Sequence, residues 1–143
     1  METAVLDNMT QEEKELLIKD LCGRLRYGVK ASSQASHLEI NTIDGYFVDG
    51  DGKKMFHLSE PDFWQTVDYF QYYLRPMSSM TDDERNEFRT VGGVMSHNIQ
   101  NDTWAICAFA PEAYDWLLSH HFDFRGLIEK GLALEAPDGM YKI

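Results

Sequence analysis

Positive charge is scarce in this chain. Lys and Arg number 13 against 24 Asp and Glu, a formal net charge of −11. Non-specific nucleic-acid binding depends on Lys and Arg displacing counterions from phosphates, so no direct nucleic-acid binding is expected. The same deficit disfavours anionic membrane surfaces. Long apolar runs are missing too: no stretch approaches the ~20 residues a membrane-spanning helix needs. Met1 to Asn8 has neither the basic start nor the apolar run of a secretory signal, so the expected location is the cytoplasm. Cysteine is limited to Cys22 and Cys107, too few and too far apart for a disulfide scaffold or a zinc site. Both lie among apolar neighbours and read as buried free thiols. No P-loop, G-x-G-x-x-G, G-x-S-x-G or H-E-x-x-H pattern occurs, and no cofactor is expected.

What is present is a chain of 143 residues, 43% hydrophobic and 13% aromatic, enough for one domain with a real core and too apolar for disorder. The acidic residues are spread along it, as on a solvated surface. The sharper alternative is a surface that mimics nucleic acid or meets a basic partner.

The strongest punctuation runs from Tyr72 to Arg85. Pro76 has a fixed φ and no N–H, so an element arriving through Leu74 must stop there. Arg75 before it is pushed towards extended backbone. Thr81 with Glu84 makes a capping box, and Asp82 and Asp83 put negative charge on the start of a helix over 82–89. Thr10 with Glu13 is a second box. It opens a helix from Gln11 to about Arg26, with an apolar stripe through Leu17, Leu21 and Leu25, with Glu12, Glu13, Glu15 and Asp20 facing water, and with Gly28 as its stop.

The period then changes. Alternation over 37–43, an Asp44-Gly45 hairpin signal, Tyr46–Val48, an Asp49–Gly52 turn and Lys53–Leu58 predict a small antiparallel sheet, with an SH3-like barrel as one closure of it. Asp49-x-Asp51 with Glu60 briefly resembles a calcium loop, but Lys53 and Lys54 stand where an oxygen ligand and a glycine are needed, so it reads as a turn. Ser59 and Pro61 predict a helix from Pro61 to about Tyr72, whose aromatic face (Phe63, Trp64, Phe70, Tyr73) is core or, through Trp64, a platform for stacking a ligand. Met95–Asp102 reads as loop. Trp104–Phe109 is a buried strand or a helix start. A helix from Pro111 to His121, another from Phe124 to Lys130 capped by Asp123, and an extended Leu132–Leu134 complete the chain.

Two clusters point to chemistry. Arg24, Arg26 and Lys30, where the first helix ends, together with Arg75 and Arg125, could line a pocket for a small anion; the bland reading is cations at a helix end. His120, His121 and Asp123 are the most metal-like group, but adjacent histidines on a helix end point apart, and no spacing brings His37, His57 or His97 to them.

Four blocks resemble a known family: Thr10–Leu25, Tyr27–Lys30, Tyr73–Thr81 with its Leu-Arg-Pro-Met-Ser-Ser-Met-Thr, and His121–Ala133 with its His-Phe-Asp-Phe-Arg-Gly-Leu-Ile-Glu-Lys-Gly-Leu-Ala. They are similar to a family of small uncharacterised proteins carried by phages and prophages of gut Bacteroides-type bacteria. The family more often has proline where Arg26 stands, and a shorter approach to Leu74-Arg75-Pro76. It has no assigned activity, so the resemblance transfers no site residue. It implies an accessory protein of a mobile element, active in the bacterial host cell.

The expectation is therefore an α+β domain over 1–143: a leader over 1–9, a helix and antiparallel sheet over 10–58, and a mainly helical half with three or four helices over 59–143. The favoured function is non-enzymatic binding of a host protein or small ligand. A sponge or inhibitor of an anionic nucleotide-like signal, working through the arginines, comes second. A metal-dependent hydrolase built on the histidines comes third. A homodimer fits the aromatic excess.

Overall fold

The computed structural model describes residues 9–33, 40–59 and 62–141. The expected leader up to Asn8 and the start of the strand at 37–39 lie outside them, as does Pro61. The fold is mixed α+β. A helix, α1 (Gln11–Arg24), leads into β1 (Lys30–Ser32), β2 (Asn41–Val48), β3 (Lys54–Ser59), β4 (Asp62–Gln65) and β5 (Gln71–Leu74). Then come α2 (Asp82–Thr90), a hairpin of β6 (Gly93–Asn98) and β7 (Thr103–Phe109), α3 (Pro111–Ser119) and β8 (Leu134–Glu135). Six strands lie in the order β4-β3-β2-β1-β5-β8, and β6 and β7 form a separate pair. The row is antiparallel except where β8 pairs parallel to β5. β4 and β8 sit at its opposite ends, so no ladder closes it into a barrel among the described residues. No helix among those residues is long and apolar enough to cross a membrane.

Both capping boxes form. Glu13 N–H donates to Thr10 Oγ1 at 3.1 Å while Thr10 N–H donates to the Glu13 carboxylate at 2.9 Å, and Thr81 and Glu84 repeat the exchange at 3.1 and 3.0 Å. After α1 the chain tightens into one 3₁₀ turn and leaves it at Gly28, whose φ of +70° only glycine adopts without strain.

Several elements differ from the sequence expectation. The helix expected over 61–72 is two strands, β4 and β5, joined by a 3₁₀ turn over Val67–Tyr69. Aromatic residues favour a pleated surface as much as a helical stripe, and β5 buries Tyr72, Tyr73 and Leu74 in succession, as a strand covered on both faces does. Asp44-Gly45 is not a hairpin turn: β2 runs straight through it, with a register shift between Ile43 and Gly45 that makes Asp44 the extra residue of a bulge. The Asp49–Gly52 turn does form, with the Asp49 carboxylate accepting from the N–H groups of Asp51 and Lys53 at 2.9 Å each. Met95–Asp102 is not loop but the first strand and turn of the β6–β7 hairpin. The segment 124–130 is a series of turns: Asp123 caps it, accepting from Leu127 and Ile128 N–H, but Gly126 at φ +73° prevents a continuous α-helix. The second half therefore has two α-helices, α2 and α3, among the described residues, where three or four were expected.

Two cores result. The larger joins Leu17 and Leu21 of α1 to Ile43, Phe56, Leu58, Phe70, Tyr72 and Leu74 of the sheet. The smaller holds Met80, Phe88, Trp116, Leu117 and Phe122 between α2, α3 and the hairpin. Gly93 opens the hairpin because a Cβ there would sit inside the Phe88 ring.

Candidate functional site

The stripe of α1 that faces the sheet is not purely apolar. Positions 17, 20, 21 and 24 share one face, so Asp20 and Arg24 are buried with Leu17 and Leu21. The expectation that Asp20 faces water is thus overturned. The Asp20 carboxylate accepts from Arg24 Nε at 2.8 Å and Nη2 at 3.1 Å, from the Tyr72 hydroxyl at 2.8 Å, and from Arg125 Nη1. Arg24 Nη2 also donates to the Phe122 carbonyl at 2.8 Å, and Arg125 Nη2 donates to the Tyr114 hydroxyl at 3.1 Å. Burial, and then the neighbouring Asp20 charge, hold the Tyr72 hydroxyl well above its ordinary pKa. This network ties α1, β5, α3 and the 122–125 segment together.

The structure brings Arg24 and Arg125 together around Asp20, but not into a free pocket with the other cations. Arg26 pairs with Asp115, which also accepts from the Tyr27 hydroxyl at 2.5 Å. Hydrogen bonds from Tyr27 and Arg26 hold the Asp115 carboxyl below its usual range. Arg75 donates from both Nη atoms to Glu84 at 2.7 Å and lies 4.2 Å above the Phe122 ring centre. Burial pushes the Glu84 carboxyl up, but hydrogen bonds from Arg75 and Thr81 outweigh it and leave the carboxyl below its ordinary value. Lys30 reaches the Thr42 hydroxyl at 3.4 Å. The arginines are thus engaged by carboxylates in three separate places.

The histidine group separates in the same way. His120 stacks on Trp116, with ring centres 3.9 Å apart, and its Nδ1 lies 2.9 Å from the Trp116 carbonyl. His121 is buried, stacks on Tyr141 at 3.6 Å, and has its backbone at φ +64°. Burial, then the charges of Arg24, His120, Arg75 and Lys30, lower its pKa from 6.5 to about 4. Asp123 is engaged in its cap. Among the described residues no group of three or more His, Cys, Asp or Glu is placed to share a metal ion. The Tyr141 hydroxyl donates to the Tyr73 carbonyl at 2.7 Å and accepts from Lys30 N–H at 2.8 Å, pinning the end of the chain over β1 and β5.

Among the predicted ligand residues Arg26 and Trp64 are exposed, and Trp64, unlike Arg26, carries no ion pair. Alternation along β4 turns Phe63 towards the larger core and Trp64 outward, 43% exposed. Gly45 and His57 lie opposite it, and a Cβ on Gly45 would meet the indole at 3.3 Å, so the ring lies across the glycine. Phe47, also 43% exposed, meets Trp64 edge to face at 4.7 Å. His57 Nδ1 lies 2.5 Å from the Asp44 carboxylate at the bulge. Val48 and Tyr46 add further exposed apolar surface to β2. Phe47 was not legible as a surface residue, because the supposed turn at Asp44-Gly45 hid the register that faces it outward.

Two cavities are prominent among the described residues. One, of about 500 Å³, lies over Arg75, Ser79 and Glu84 beside Tyr141. The other, of about 870 Å³, runs between the first turns of α1 and the β2–β3 turn. Comparison of the chain with family models, with curated proteins and with solved structures returned no match.

Proposed function

We propose that the protein is a non-enzymatic accessory protein of the phage and prophage type, acting in the host cytoplasm by binding a host protein. The binding surface is the outer face of β2, β3 and β4. The observation that carries this reading is the exposed Phe47–Trp64 pair, two large aromatic rings held edge to face on a well-paired sheet. Large exposed aromatics on a rigid surface are the residue type that anchors protein interfaces. The chain's charge of −11 favours a partner that is basic around an apolar centre. Neither an anion sponge built on the arginines nor a metal-dependent hydrolase built on the histidines has an observation in its favour, since those residues have structural partners of their own.

The test is capture from host lysate by the tagged wild type and by a Phe47→Ala/Trp64→Ala variant of equal thermal stability. A basic host protein retained by the wild type and lost from the variant is expected. Equal capture by both, or capture of nothing above an empty-tag control, would sink the reading.

A further inference from the structure

The groove between α1 and the β2–β3 turn brings three lysines together over partly apolar walls. Its rim carries Lys14, Lys53 and Lys54, and its walls include Ile18, Met55 and Tyr69. Its carboxylates are occupied. Asp49 closes the turn by accepting from two backbone N–H groups, and Asp68 accepts from the Thr66 hydroxyl at 2.6 Å and faces Lys14 at 3.8 Å. Lys53 and Lys54 are exposed, and neither ammonium has a carboxylate partner among the described residues. By contrast Arg24, Arg26, Arg75, Arg85 and Arg125 each meet a carboxylate. What sets Lys53 and Lys54 apart is that they are adjacent and stand over a groove that also offers the apolar surface of Ile18, Met55 and Tyr69. The volume falls within the range of small-molecule sites, about 300–1,000 Å³.

We propose that this groove binds a small aromatic anion: a phosphate, sulfonate or carboxylate carried on a flat apolar body. The anionic group sits between the Lys53 and Lys54 ammonium groups, and the flat body lies on Ile18, Met55 and Tyr69. Lysine suits this role because its ammonium is a mobile point charge that reaches over a rim, whereas Arg24, Arg75 and Arg125 are held by bidentate or buried pairing. The site is separate from the Phe47–Trp64 pair, so either proposal can fail alone.

Calorimetric titration of the full chain tests it, with adenosine monophosphate and anilinonaphthalene sulfonate as probes and adenosine as the uncharged control. At least one anion is expected to bind with a Kd below about 1 mM, and adenosine at least about tenfold more weakly than its monophosphate. Lys53→Ala/Lys54→Ala is expected to weaken the anion at least about tenfold with an unchanged melting temperature, and Lys19→Ala, an exposed lysine outside the groove, to leave it as it was. Added salt weakens binding, as screening of exposed charges requires. Failure of both anions to bind, binding that survives the double lysine variant, or adenosine binding as well as its monophosphate would each overturn the proposal.

Discussion

The junction around Asp20 and the wing made of β2, β3 and β4 place similar residues in opposite circumstances. At the junction, charges and aromatic rings are sealed in: Asp20 and Arg24 have no exposed surface, and Tyr72 is bonded to the same carboxylate. On the wing, Trp64 and Phe47 are exposed on one face and Lys53 and Lys54 stand unpaired at the turn. A buried ion must satisfy its partners inside the protein, because desolvation costs several kcal/mol per ion. An exposed one keeps its water until a ligand replaces it. A cluster of arginines in the sequence is therefore poor guidance to a binding site, and the residues left over once internal pairing is complete are better guidance.

Removing the carboxylate at the junction should have the largest effect. Asp20→Ala strands Arg24 in the core and deprives Tyr72 and Arg125 of their acceptor. The expected loss is about 3–5 kcal/mol of unfolding free energy in a urea titration, because the remaining buried charge is uncompensated. On the wing, Trp64→Ala and Lys53→Ala should each cost under about 1 kcal/mol. Equal losses in the two regions would end the contrast between them.

Next in size is the pH response of His121. Its folded pKa lies near 4 against 6.5 in the unfolded chain, so between these values the unfolded state binds the extra proton. Stability from this group is complete above about pH 6.5 and is lost as pH falls towards 4, by about 3 kcal/mol in all. His121→Asn keeps a residue that tolerates the positive φ and removes the titration. The wild-type-minus-variant difference in unfolding free energy should therefore slope between pH 6.5 and 4 and be flat above. A flat difference throughout would mean that His121 is hydrated, and that the junction is less sealed than its contacts indicate.

The caps, the end of α1, α2, the Asp49–Gly52 turn and the stop at Pro76 were all readable, because each is decided by residues within a few positions of one another. The antiparallel strand at Lys54–Ser59 was readable too, and the largest misreadings concern elements decided by pairing at a distance. Phe63, Val67, Phe70 and Leu74 match a helical stripe, and only the neighbouring strands β3 and β1 make β4 and β5 of them. Asp44-Gly45 has turn chemistry, yet the partner β3 turns it into a bulge. Asp20 and Arg24 fall on the 17–21 stripe by spacing alone, so their burial was available to a reader who trusted period over polarity. The candidate site was less legible than the fold. Trp64 stands out in the sequence as part of an aromatic face, but Phe47 and the open lysines need the register of β2 with β3 and the position of the turn against α1.

The smallest expected effect concerns the thiols. Apolar neighbours in the sequence suggested buried cysteines, and the structure corrects this: Cys22 and Cys107 are both exposed. Cys22 lies on the outer side of α1, and Cys107 falls where the β6–β7 register shifts, opposite no residue of β6. Adjacent apolar residues say little about burial when the element is amphipathic or bulged, since neighbouring positions then face different ways. Ellman's reagent should therefore modify both thiols in the native protein without denaturant. Cys22 should react more slowly at neutral pH, because partial burial raises its pKa and the thiolate is the attacking form. Modification that waits for urea would return both residues to the core and undo the placement of the hairpin's outer surface with them.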